Sequence, residues 1–169
     1  DLIASSKIGD GNILDAIINI FAKEGFITQS FTDIFPNEYL LDIEFNKITN
    51  QDKNDIEKGV SILNSISQYD NAQSCVVLDG YILAIEAVEG TDKMISRIGS
   101  IKKKISRDLI EGCLVKIPKT KQSLMIDLPT VGVKTLDMMH KNKLKVLALL
   151  KDVTIVVEKK KFYRNLKKY

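Results

Sequence analysis

Apolar residues recur at helical spacing in three stretches of the chain and run continuously in several short ones. Ile13, Ile17, Ile20 and Phe21 fall on one face, which predicts a helix from about Asn12 to Lys23, capped by Asp10 and ended by Gly25. A second helix is predicted from the Thr49-Asn50-Gln51-Asp52 capping box to about Tyr69, with Ile56, Val60, Leu63 and Ile66 inward; it should be the longest of the chain. A third runs from about Asp92 to Ile105, with Ile95, Ile98 and Ile105 inward and Lys102, Lys103 and Lys104 solvated at its end. Between the second and third, SCVVL and YILAI flank Asp79-Gly80. Two apolar runs joined by this dipeptide predict a β-hairpin, because both turn positions need φ > 0.

The remaining segments are shorter. Phe26–Ser30 reads as a short strand, Phe35-Pro36-Asn37 as a turn, and Tyr39–Phe45 as extended. Strands are expected at Cys113–Ile117, ended by Pro118, at Val146–Leu149 and at Thr154–Val157, with a helix from Val133 to His140; these complete the ordered part. Strands and helices alternate from residue 74 onward, so the fold class is α/β, a layered sheet with flanking helices.

Composition narrows the classes. A hydrophobic content of 44% and a charged content of 28% are those of a globular chain, and no apolar run approaches the roughly 20 residues of a membrane span. With no leader visible after Asp1, a cytoplasmic location is expected. Of 25 basic residues six lie in the last eleven, which leaves 19 against 22 acidic ones before them. The body is therefore mildly acidic, and nucleic-acid binding by the fold is not expected. Cys75 and Cys113 lie within or beside apolar runs and are expected to be buried and reduced.

Polar residues inside apolar runs are the candidates for chemistry. Glu86, Glu89, Gly90, Thr91 and Asp92 crowd the end of the hairpin's second strand. Glu86 and Glu89 end a strand whose other positions are apolar, so at least one must point into solvent, a cleft or a cation. Thr91 can cap the following helix, with Asp92 in its first turn, yet Gly-Thr-Asp at a helix start also offers what a phosphate and its divalent cation require. Asp127 interrupts the apolar Leu124-Met125-Ile126 and Leu128-Pro129, and a carboxylate there needs a cation or hydrogen bonds. Lys116 can offset phosphate charge or be a solvated strand-end lysine. His140 lies alone at a helix end, and no serine or cysteine has a convincing His and Asp set, so carboxylate-based metal-assisted hydrolysis is favoured over covalent catalysis.

The runs ILAIEAVEGTDKMI, CLVKIPK and IDLPTVG, in this order and at this spacing, resemble the C-terminal domain of the LpxI-type UDP-2,3-diacylglucosamine pyrophosphatases. GDGNILDAIINIFAKEGF and ITNQDKNDIEKGVSIL resemble the end of the family's N-terminal domain and its linker. The resemblance implies hydrolysis of the substrate's diphosphate to UMP and 2,3-diacylglucosamine 1-phosphate in lipid A synthesis, with a divalent cation, most readily Mg²⁺. It makes Asp127 the catalytic residue, Glu89, Asp92 and Asp127 the metal ligands, and Thr91, Lys116, Lys119 and Thr130 the substrate-binding residues. It also implies a division into an α/β N-terminal-domain remnant (1–48), a linker helix (49–72), a catalytic-type C-terminal domain (73–158) and a basic tail (159–169). The partners expected are UDP-2,3-diacylglucosamine, a separately encoded N-terminal half and, transiently, the inner-membrane surface. Ser123 and Met125 stand where the family carries Asp and Arg, Leu149-Leu150-Lys151-Asp152 replaces a Glu-Ala-Gly turn, and the lysine-rich tail replaces an apolar segment. A remnant that at most binds the UDP-lipid is the alternative.

Overall fold

The computed structural model describes residues 10–35, 39–42, 47–107, 110–119 and 127–167, with the side chains of 10–12 left aside. Helix α1 spans Asp10–Lys23, and Gly25, at φ +85°, follows it as expected. No strand forms at Phe26–Ser30. The Ser30 hydroxyl instead accepts from the Thr32 amide (3.3 Å) and caps a single helical turn, α2 (Phe31–Ile34), because a short hydroxyl side chain serves free helix N–H groups better than a sheet edge. Of the extended run expected over Tyr39–Phe45, Leu40 bridges Ile155 in the antiparallel sense and the Leu41 amide donates to the Thr154 carbonyl (2.9 Å); Phe45 is outside the described residues.

The capping box forms as read. The Asp52 amide donates to Thr49 Oγ1 (3.1 Å), the Thr49 amide to Asp52 Oδ2 (2.8 Å), and α3 runs Asn50–Ile66 before a 3₁₀ turn at Ser67–Tyr69. Buried Asp55 on α3 accepts from the Gly80 amide (2.7 Å), which ties the helix to the hairpin turn. That turn has positive φ at both Asp79 and Gly80, between β1 (Ser74–Leu78) and β2 (Tyr81–Ile85). Helix α4 (Gly90–Lys104) follows, then β3 (Gly112–Lys116), β4 (Thr130–Val131), α5 (Val133–Lys141), β5 (Leu144–Leu149), β6 (Ile155–Val156) and α6 (Lys159–Leu166).

The described strands form a sheet of order β2-β1-β3-β5, with β1 antiparallel to both neighbours and β3 parallel to β5; β4 and β6 pair separately, in parallel. β1 and β3 are buried along their whole length because each face of the sheet is covered. On one face Val76 and Leu114 pack with Met94, Ile95 and Ile98 of α4 and Met139 of α5. On the other, Cys75, Val77 and Val115 meet Leu63 of α3. Gly59 allows that helix to come close, since a β-carbon there would lie 2.7 Å from Val115 Cγ2. The α/β layers are thus helix, sheet, helix.

Three local expectations change. Ile105 lies just past the end of α4 and is 43% exposed. Lys102 is not solvated but 1% exposed: it stands four residues after Ile98 on the same face, and its ammonium donates to the carbonyls of Asn142 (3.4 Å) and Lys143 (3.1 Å). Order does not stop at Val157 either. α6 inserts a fully buried Phe162 among Val131, Leu136 and Val156, while Lys159 and Tyr163 both bind Asp42 (3.0 and 2.7 Å).

Candidate functional site

Lys116 and Ser74 are register partners at one end of the sheet, where β3 and its parallel neighbour β5 present their carboxyl ends. A register shift between Val76 and Val77 lets Glu86 follow the hairpin and donate its amide to the Ser74 carbonyl (2.9 Å). The side chains meet at the same place. Ser74 Oγ donates to Glu86 Oε2 (2.7 Å), Thr91 Oγ1 to Glu86 Oε1 (3.1 Å), and Lys116 Nζ to Thr91 Oγ1 (2.8 Å). Ser74, Glu86 and Lys116 are all buried. Since Glu86 takes both hydroxyl protons, the Thr91 oxygen is turned to accept from the ammonium, and the other N–H bonds of Lys116 are left to point elsewhere.

Burial pushes the Lys116 pKa below its ordinary value, and Glu86, Asp92 and Asp127 act to raise it. All three carboxylates are therefore close enough for their charge to reach this ammonium. Asp92, in the first turn of α4, also pairs with Lys134 of α5 (2.6 Å), which links the N-terminal turns of the two helices. Neither end has a side-chain cap among the described residues; Glu89 and Gly132 occupy the cap positions. The free N–H groups and positive dipole ends of two helices, with one buried ammonium, make this end of the sheet suited to an anion.

The residues named from sequence are not all brought together. Thr91 and Lys116 are hydrogen-bonded to each other, and Asp92 and Asp127 lie within electrostatic reach of Lys116. Thr91 reaches Lys116 from inside the helix and not as its cap, because α4 begins at Gly90, whose φ of +79° makes the corner. Glu89 is turned to Arg97 (2.9 Å), where its own backbone amide and that guanidinium hold its carboxyl below the usual range; it is not among the carboxylates acting on Lys116. Lys119 is held by Asp70, at 2.9 Å from the carboxylate and 3.1 Å from the carbonyl. Thr130 is exposed and its hydroxyl donates to the Leu128 carbonyl (3.0 Å). Ser123 and Met125 are outside the described residues. Ser74 was not singled out from the sequence, and Glu86 was named as a candidate without its hydroxyl partners. A buried serine at a strand start is a weak signal, and its pairing with Glu86 depends on the register shift.

A divalent cation fits this donor set in part. Only oxygen ligands are offered, as a hard cation prefers, and Mg²⁺ is commonly held by one or two carboxylates plus substrate phosphates. Asp92 and Asp127 satisfy that description. Among the described residues no three His, Cys, Asp or Glu side chains gather closely enough to hold an ion unaided. Burial pushes the thiols of Cys75 and Cys113 up to about 12, so they stay protonated and are poor nucleophiles near neutral pH.

Residues 42–169 match the family model of the LpxI C-terminal domain. The chain is 33% identical over 141 residues to the UDP-2,3-diacylglucosamine pyrophosphatase LpxI of Caulobacter vibrioides, a match covering 80% of this chain and 50% of that protein. The chain spans about half the length of this relative.

Proposed function

The chain belongs to the LpxI family, through its C-terminal domain, and we propose that it supplies the charged half of a site that hydrolyses the diphosphate of UDP-2,3-diacylglucosamine, in lipid A synthesis, to UMP and 2,3-diacylglucosamine 1-phosphate. The observation that carries this reading is the buried Lys116 ammonium, oriented through Thr91 by Glu86 and within electrostatic reach of Asp92 and Asp127, near two helix N-termini without a side-chain cap among the described residues. A diphosphate placed there has its oxygens met by the ammonium and by backbone N–H groups. Asp127 is the group suited to orient an attacking water and accept its proton. A divalent cation, Mg²⁺ by the oxygen donor set, would be held by Asp92 and Asp127 with phosphate oxygens and would neutralise charge on the diphosphate. The other half of the cleft would come from a polypeptide equivalent to the relative's N-terminal half. The acyl chains would bring the protein into transient contact with the inner-membrane surface, and no helix among the described residues is long and apolar enough to cross it.

The test is UMP release from UDP-2,3-diacylglucosamine with Mg²⁺, by the chain alone and with the N-terminal half of the Caulobacter relative. Release in the combined sample is expected. A folded chain that binds the UDP-lipid but releases no UMP in either sample overturns the hydrolase reading in favour of a binding remnant.

A further inference from the structure

Positive charge is concentrated on α6: six of the 25 basic residues lie within residues 159–168, while acids outnumber bases in the rest of the chain. Buried Phe162 fixes which way this helix faces. Lys160, Arg164 and Lys167 follow one another at spacings of four and three, and Lys167 keeps helical backbone angles, so the three share a face; all are exposed. The neighbouring acids are matched elsewhere, Asp42 by Lys159 (3.0 Å) and Glu158 by Lys161 (3.1 Å). Among the described residues no carboxylate pairs with Lys160, Arg164 or Lys167.

Apolar groups accompany these cations. Val157, just before the helix, is exposed. Asp42, which Tyr163 and Lys159 of α6 both hold, is three residues from Tyr39, whose ring lies 4.9 Å from Phe31 and 6.3 Å from Phe35; Phe31, Ile34 and Phe35 are exposed too. A basic face attracts any polyanion, but a bilayer interface also takes up apolar side chains, which the phosphate backbone of a nucleic acid does not. We propose that α6 docks the protein on an anionic lipid bilayer, with Lys160, Arg164 and Lys167 meeting headgroup phosphates and the apolar groups beside them entering the interface. Val157 also flanks the start of α5, since a β-carbon at Gly132 would lie 3.6 Å from Val157 Cβ. Resting on the diphosphatase reading, this docking brings the N-terminal end of α5 toward a UDP-lipid held in the same bilayer.

Flotation of the full chain with vesicles of phosphatidylcholine, or of phosphatidylcholine mixed with phosphatidylglycerol, tests it at about 0.1 M and about 0.5 M salt. Binding to the mixed vesicles at the lower salt is expected, at least about tenfold weaker binding to phosphatidylcholine alone, and loss at the higher salt. Joint substitution of Lys160→Gln, Arg164→Gln and Lys167→Gln should weaken binding about a hundredfold. Joint substitution of the exposed Lys93→Gln, Lys103→Gln and Lys104→Gln on α4 changes net charge equally and should stay within about threefold of the parent. All six side chains are exposed, and a thermal melt of each variant checks that it is folded. The proposal is overturned if both vesicle types bind alike, if the two triple variants lose equally, or if a duplex oligonucleotide outcompetes the mixed vesicles at the same salt, which would assign the face to nucleic acid. Vesicle binding that depends on the α6 cations, without UMP release from detergent-dispersed UDP-lipid in the combined sample, would keep the docking surface and remove the diphosphatase reading; UMP release without vesicle binding would do the reverse.

Discussion

Among the described residues two lysines are buried, at opposite ends of the same pair of helices. Lys102 lies where α4 and α5 end and is 1% exposed; Lys116 lies where both begin and is 6% exposed. The ammonium of Lys102 meets the carbonyls of Asn142 and Lys143, at the negative end of the α5 dipole. That of Lys116 donates to a hydroxyl, within electrostatic reach of three carboxylates and near the positive ends of α4 and α5, where a cation is not needed to offset the dipoles. One ammonium completes a helix terminus. The other is held where it helps the fold least, which is what an anion site requires, and burial alone does not tell the two apart.

The largest effect that sharpens this contrast is expected from Asp127→Asn at the Lys116 end. Turnover of the UDP-lipid in the assembled system should fall about 10²- to 10³-fold, the range for losing one group aimed at developing charge, with the melting temperature little changed. Steady-state UMP release beside a thermal melt measures both. Retained turnover would detach Asp127 from the chemistry.

Lys102→Met comes next, at the other end. Removing the ammonium takes a donor from the Asn142 carbonyl, while the Lys143 carbonyl keeps the Gly112 amide (3.2 Å), and should cost about 1–3 kcal/mol of stability in denaturant titrations. A variant as stable as the parent would show that water satisfies the Asn142 carbonyl and that the two lysines are less different than their surroundings suggest.

Titration separates the ends by sign. Burial lowers the Lys116 pKa below its ordinary 10.5, so between the folded value and 10.5 the unfolded chain binds more protons. Stability relative to Lys116→Met should therefore rise with pH across that interval, while turnover falls as the ammonium is lost. Denaturant titrations of both proteins over a pH series, read beside the rate, check the opposed slopes; parallel slopes would mean that Lys116 is not needed as a cation. The smallest effect belongs to Lys134→Ala. Its pair with Asp92 is largely exposed, so under about 1 kcal/mol of stability should be lost, measured in the same titrations.

Much of the frame was legible because it rests on local rules. Asp79-Gly80 gave the hairpin, the Thr49–Asp52 box gave the start of α3, and Gly25 marked the end of α1. Lys102 was misread because a lysine triplet suggests solvent, although its spacing from Ile95 and Ile98 places it on the buried face. α6 was missed because Phe162 is the apolar anchor of a segment dominated by lysines, and what it packs against lies on α5, β4 and β6. In the site, Thr91, Asp92, Lys116 and Asp127 could be named from polar breaks in apolar runs. Glu86 could be named in the same way but Ser74 could not, since their meeting depends on a register shift inside β1.

The most direct measurement is UMP release by Lys116→Met and Lys102→Met side by side, each combined with the N-terminal half and normalised to folded protein. The account predicts at least a hundredfold loss for Lys116→Met and a rate within about threefold of the parent for Lys102→Met, since a stability loss of the size expected there leaves the remaining folded molecules intact. Equal losses in the two variants, or an active Lys116→Met, would contradict it.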